Sequence, residues 1–451
     1  MPINFFKKMS IKIFHICGRI AWIYRIKLPK NYKFIALSSH GVGHNVFWKF
    51  LKECRVRINW HCFEQAEIVY LRIWDTLISG KILKKHNNAI VLAEYGFIDS
   101  AKLFSLIDSS VPCVILVRDP ISIIKTNLNF QSRNADDWLI IGENYNKVIN
   151  IEFDSFVTET FTGYRKFVNK PYIDGVQYIT RDKNQAFFIQ NSLIKALPDL
   201  TKIYYVDTSE ILPDKAFETM KRLSSLLSFP TPKPSRVYEQ KLYGAFTGLL
   251  PLTLKVPYTH KQENHKILYG GGGSNKTPAE SKQSCKKQNT PESSLNLSLS
   301  SFLNRFLSPF CKPKEKFLQI IITVHEDNTG LIDIGIDIMD SFFTKFKTFQ
   351  NIKLYIDAKD KEKILESKQE IKDYLLGYFK ELKNYMDMQA KNKITEEQIL
   401  EYFRNHPDIR AEFKAKLDYE LDHVKKHAPH IVSSWKYYQE FEKMCKLAEQ
   451  V

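Results

Sequence analysis

Four short stretches of the chain are apolar without interruption or nearly so. They are Phe34 to Leu37, Ala89 to Ala93, Cys113 to Val117 and Lys202 to Val206. Continuous apolar runs of this length, unlike alternating ones, belong to strands buried on both faces of a parallel sheet. Amphipathic stretches fall between and after them, and helices are expected to about Glu53 and over Glu64–Ile82, Asp99–Ile107, Ile121–Leu128 and Lys215–Leu227. Strands alternating with helices predict an α/β fold with a parallel, doubly wound sheet. Residues 231–269 carry many prolines and aromatics and no strong period. Gly270–Gly273 then opens a polar stretch to about Ser301 that is too poor in apolar residues to order itself. Beyond it, Leu318–Val324 and Ile352–Ile356 read as strands flanking a helix over Ile332–Phe346. From Lys359 to Gln450 the pattern is helical and highly charged, punctuated by Pro407 and Pro429. The expected organisation is a basic amphipathic segment over 1–30, an α/β domain over 31–269, a flexible linker or insertion over 270–315, and an α-rich region over 316–451 that begins β-α-β.

Composition narrows the chemistry. With 44% apolar and 13% aromatic residues, 451 residues can build sizeable cores. Lys and Arg number 66 against 50 Asp and Glu, a formal charge of +16 that favours anionic partners. The basic residues are spread out, and no run of them is interleaved with aromatics in the pattern of an RNA reader, so nucleic acid is not an expected partner. The 7 cysteines are odd in number and form no Cys-x-x-Cys pair. That argues against a disulfide framework and against zinc, and no metal is expected. A reducing cytosol fits. No apolar run is long enough to span a membrane. The segment Met1–Lys30 mixes Lys7, Lys8, Lys12, Arg19, Arg25, Lys27 and Lys30 with Phe5, Phe6, Ile11, Ile13, Phe14, Ile20, Trp22, Ile23 and Ile26. It is no secretory signal in pattern. It suits either a helix on the inner membrane surface or a helix packed on the domain.

The richest chemistry lies where the first apolar run ends. Ser38 to Gly43 is a turn of small residues, and with His44 it brings together two serines, two glycines and two histidines. A helix beginning there directs free N–H groups and a partial positive charge into the turn, which suits a phosphate or other anion. It is not a Walker A loop, because no glycine is followed by Lys-Ser or Lys-Thr at the required spacing. At the end of the third run stands Arg118, whose guanidinium fork suits phosphate. Asp119 is placed to cap the next helix and Pro120 to open it. Thr126 follows Arg118 by two helical turns. Glu94 ends the second run and Asp207 the fourth. In a doubly wound sheet ligands bind at the carboxyl ends of the strands, so all these groups share one rim.

This order of strand, glycine-containing loop and helix, followed by strand, Arg-Asp-Pro, helix and a hydroxyl eight residues after the arginine, resembles the sulfotransferase family over residues 30–230. The two signatures of that family bind the 5′-phosphosulfate and 3′-phosphate ends of the donor PAPS. The resemblance implies a sulfotransferase or P-loop type of sheet. It matches His40–Val46 to the first loop, with Gly43 on the family's glycine and His44 and Asn45 on its polar pair. Arg118 and Thr126 match the arginine and serine of the second signature. Gly41 stands where the family has a lysine that stabilises the leaving group. His40 or His44 can supply positive charge there, and a nucleotide-linked sugar or phosphoramidate fits the cradle as well as PAPS does. In carbohydrate sulfotransferases a glutamate removes the acceptor proton, and Glu94 is the matching candidate here, with His40 the other base. The stretch Tyr419–His427 and Ile431–Cys445, with Ala93–Phe97 and Val117–Pro120, resembles a bacterial family of unknown function associated with capsular polysaccharide biosynthesis.

The expected function is therefore a transferase acting on a bacterial surface glycan. Ser39, Gly41, Gly43, His44, Asn45, Arg118 and Thr126 would bind a nucleotide donor, and Glu94 and His40 are the catalytic candidates. The expected partner is a glycan acceptor, with an anionic membrane surface if residues 1–30 lie on lipid, and the expected location is cytoplasmic, either free or peripheral on the inner face of the inner membrane. The other reading is a non-catalytic scaffold of the polysaccharide assembly machinery. His423, His427 and His430 belong to a solvated helix face rather than a metal site.

Overall fold

A computed structural model of the chain describes residues 15–59, 65–82, 87–93, 99–130, 138–149, 153–155, 166–168, 171–181, 187–239, 250–258, 316–323, 335–343 and 352–449. The four apolar runs become four strands of one sheet: β1 (Phe34–Ser38), β3 (Asn88–Ala93), β4 (Cys113–Val117) and β5 (Ile203–Asp207). A short edge strand, β2 (Arg57–Ile58), completes it. The order is β2-β3-β1-β4-β5 and every pairing is parallel. Every residue of β1, β3 and β4 is buried, as the unbroken runs require. The Asn59 side chain extends the edge beyond β2. Its Nδ2 donates to the Val91 carbonyl and its Oδ1 accepts from the Val91 N–H.

Helix α1 (His44–Glu53) leaves β1 and buries Phe47, Trp48, Phe50 and Leu51. Helix α2 (Pro120–Leu128) leaves β4 with Asp119 as its cap, the carboxylate accepting from the Ile121 N–H at 2.9 Å. The core around this sheet draws on both ends of the chain. Helices α3 (Glu396–Asn405) and α4 (Lys436–Glu449) return to pack on α2. There Phe403, Phe413 and Phe441 cluster with ring centroids 5.1–5.5 Å apart. Glu396 fixes α3 to α2 by accepting from Ser122 Oγ at 3.0 Å and Lys125 Nζ at 2.6 Å. A helix at 15–23 lies against helix Ala66–Ile82. Gly18 fits closely over Leu71 and Trp74, and Trp22 packs 5.3 Å from Tyr70.

A second core forms around a separate five-stranded sheet. Its order is Gly335–Asp337, Lys353–Asp357, Lys316–Thr323, Leu252–Tyr258 and Trp138–Ile140, antiparallel except for the last pair. Helix Lys368–Lys391 covers it with Ile371, Leu375, Tyr378, Phe379 and Leu382. Two expectations are corrected here. The helix expected over Ile332–Phe346 is, in its described part, a strand at Gly335–Asp337 and one short turn of helix at Met339–Phe342. The cause is legible: Ile332, Ile334, Ile336 and Ile338 alternate with polar or small residues, a period of two. The stretch read as lacking a period contains the strand Leu252–Tyr258, in which Leu252, Leu254 and Val256 alternate inward.

Candidate functional site

The loop after β1 and the loop after β4 meet at the carboxyl edge of the sheet. β1 has β3 on one side and β4 on the other, so the chain reverses its direction of winding at β1, and the crevice between β1 and β4 is the place such sheets keep for ligands. Gly41 and Gly43 both have φ of +84°, a conformation glycine reaches without strain. Gly43 is the N-cap of α1 and no side chain caps that helix. Among the described residues, the backbone N–H groups of Gly41, Gly43 and Asn45 donate to no acceptor, while Val42 closes the turn back toward the Ser39 carbonyl. They stand at the positive end of α1, which carries about half an elementary charge. Open N–H groups close together in such a turn suit an anion.

Ser39 directly follows β1. It is 1% exposed and its hydroxyl has no partner, as is also true of the Ser38 hydroxyl and the Asn45 Oδ1 atom. Buried polar atoms are nearly always bonded, so three orphans around one turn need a reason. His44 is buried, its ring 4.5 Å from Trp48, with Nδ1 3.3 Å from the Ser39 carbonyl. That oxygen can only accept, so a bond there puts the proton on Nδ1. His40 sits in the turn, with the rings of Phe187, His44 and Phe130 at 5.5, 6.2 and 6.4 Å.

Arg118 reaches across the crevice. Its Nη1 donates to the Gly41 carbonyl at 2.9 Å and to Thr126 Oγ1 at 2.8 Å, and the threonine passes its own proton to the Ser122 carbonyl at 2.9 Å. Both Nη1 hydrogens are thereby used. The Nε and Nη2 groups donate to nothing among the described residues. Burial pulls the Arg118 pKa below its ordinary value, and Glu396, Asp119 and Asp207 oppose that shift. A side chain at Gly41 would be strained, because its Cβ would lie 2.8 Å from Asn127 Nδ2 on a backbone with φ of +84°. The expected donor-binding residues Ser39, Gly41, Gly43, His44, Asn45, Arg118 and Thr126 therefore gather around one crevice, with His40 in the same turn. Glu94 lies outside the described residues.

Thr208 had no expected role, and Asp119 and Asp207, expected as a helix cap and as a rim carboxylate, have further partners. Thr208 Oγ1 lies 2.8 Å from the Val42 carbonyl and 3.1 Å from the Val117 carbonyl, tying the two loops together. A hydroxyl directly after the strand-ending Asp207 was the available signal. Asp119 caps two helices: its second oxygen accepts from the N–H groups of Tyr437 and Tyr438 at the start of α4, at 3.0 and 3.2 Å. Burial raises the Asp119 pKa, and the N–H groups of Tyr438, Ile121, Tyr437 and Ser122 oppose the rise. Asp207 accepts from Trp435 Nε1 at 2.7 Å and caps the short helix Thr208–Ile211. His423 stands 2.7 Å from Tyr205 Oη, so its ring is tied to β5. Among the described residues no group of histidines, cysteines and carboxylates is gathered to hold a metal. A pocket of about 400 Å³ between helices Ser100–Ser105 and Gln190–Ala196 includes none of the loop residues.

The architecture defines a mixed α/β protein with a five-stranded parallel sheet and a helical C-terminal region packed against it. A family model described as "Protein of unknown function (DUF2972)" matches residues 205–447, more than half of the chain, and the chain belongs to that family. Neither a curated protein nor a solved structure matches it.

Proposed function

We propose that the chain is a transferase of sulfotransferase type that moves a group from a nucleotide-containing donor to a bacterial surface glycan. The observation that carries this reading is the turn at the head of α1, where the N–H groups of Gly41, Gly43 and Asn45 are open and the nearby serine hydroxyl of Ser39 is buried with no partner. An anionic group seated there would satisfy them at once. The resemblance of residues 30–230 to sulfotransferases adds the type of donor, and the resemblance to a capsule-associated family adds the acceptor class.

In this reading Ser39, Asn45 and the N–H groups of Gly41, Gly43 and Asn45 hold one phosphate. The open Nε and Nη2 edge of Arg118 faces a second, while Thr126 keeps the guanidinium in plane. The donor, when bound, supplies the activated group and leaves as a nucleotide. Glu94 or His40 takes the proton from the acceptor hydroxyl, a task that needs the base within about 3 Å of it. The chain's own contribution is chiefly orientation and charge stabilisation.

A second reading, a non-catalytic scaffold, has its own support. Asp119, Asp207 and half of the Arg118 fork are engaged with the protein itself, two of them holding the C-terminal helices. A thermal-shift panel of PAP, CDP, UDP, CMP and GDP separates the two. Stabilisation by one nucleotide, lost in Ser39→Ala and Arg118→Ala, supports the transferase and names the donor class. No shift with any of them favours the scaffold.

A further inference from the structure

The helix at 15–23 has apolar residues on two sides. Gly18, Ala21 and Trp22 are buried on the side that meets helix Ala66–Ile82 and Lys102, whose Nζ lies 4.0 Å over the Trp22 ring. Positions 16, 20 and 23, spaced i, i+4 and i+7, fall on the other side. There Ile16, Ile20 and Ile23 are 59%, 49% and 67% exposed, and Tyr24 and Ile26 continue the surface into the turn at 75% and 48%. Burial of the inner side holds the helix in place, so the outer stripe is a fixed surface. Arg19, Arg25 and Lys27 border it, all exposed and none with an acidic partner among the described residues. Neighbouring charges are paired differently: Lys30 binds Asp108, and His15 stands 3.5 Å from Asp75.

We propose that this face docks on an anionic lipid bilayer, with the helix lying in the plane of the membrane. The isoleucines would enter the boundary between head groups and acyl chains, and the unpaired basic groups would meet lipid phosphates. Charge complementarity selects this occupant. A second copy meeting the same face across a two-fold axis would bring Arg19, Arg25 and Lys27 against their own kind, which opposes association. No helix among the described residues is long and apolar enough to cross a membrane, so the contact is with the surface. Residues 1–14, outside the described residues, continue the same composition in sequence, with Lys7, Lys8 and Lys12 among Phe5, Phe6, Ile11, Ile13 and Phe14. The inference stands apart from the crevice and does not depend on any nucleotide.

The test is flotation of the full-length protein with vesicles of phosphatidylcholine alone and with vesicles that also contain phosphatidylglycerol. The expected result is binding to the second kind only, reversed by salt. Ile16→Asp/Ile23→Asp and Arg19→Glu/Arg25→Glu should each lower the bound fraction by about tenfold, with an unchanged thermal midpoint. Failure to float with either vesicle overturns the proposal, as does equal binding by wild type and variants. So does a wild-type dimer in light scattering that Ile16→Asp/Ile23→Asp dissolves, since the face would then meet a copy of the chain.

Discussion

Two helices start side by side on the same edge of the same sheet, and they start in opposite ways. The turn into α2 is closed: Pro120 removes one N–H, Asp119 takes the next, and the spare oxygen of that carboxylate caps α4 as well. The turn into α1 is open: two glycines at φ +84°, no side-chain cap, and buried hydroxyls without partners. A helix start whose donors are all used within the chain supports the fold. One whose donors are left over, yet is held rigid by Arg118 and Thr208, has been kept available.

Substitutions at the two turns should therefore separate stability from binding. The largest loss is expected for Asp119→Ala, which uncaps two helices and should cost about 2–4 kcal/mol in urea unfolding. Asp119→Asn keeps an acceptor and should cost less. Gly41→Ala comes next, at about 1–3 kcal/mol, because it adds a Cβ in a left-handed conformation against Asn127. The double variant with Asn127→Ala should recover the steric part and leave the backbone part, which a double-mutant cycle would read out. Thr208→Val removes the tie between the loops and should cost about 1 kcal/mol, with Thr208→Ser close to wild type. Ser39→Ala should change stability least, within about 0.5 kcal/mol or slightly for the better, since it deletes an unsatisfied buried hydroxyl. Under the proposed function its effect should fall instead on donor-nucleotide affinity, lower by about tenfold in calorimetry. Unaltered affinity in that variant would mean that the open turn and the closed one do the same job.

Much of the closed turn was readable in the residues themselves. Asp119, Pro120 and the apolar stretch after them specify their structure locally, and the unbroken runs of β1, β3 and β4 demand burial on both sides. The open turn was readable in part: two glycines within three residues announce an unusual backbone, but not that Arg118 would bond the carbonyl of one of them. Non-local facts left no local trace. Nothing in the period of residues 396–449 says that α3 and α4 return to α2, because an amphipathic helix states that it has an inner face and not what covers it. The second sheet was obscured by a different cause. Ile332 to Ile338 alternates cleanly, but Met339, Phe342 and Phe343 follow at spacings of three and four, and that helical pattern, extended back, hides the short strand.

The bond from Asp119 to the head of α4 has a consequence for any attempt to dissect this chain. A polypeptide cut to the boundaries of the family match would begin at residue 205, with Asp207 and Trp435 but without the carboxylate that α4 starts from and without the three buried strands its neighbours lie on. Such a piece should be poorly soluble when made by itself. It should become soluble when residues 1–204 are co-expressed, so that complementation between the two halves would report directly on the seam that joins them.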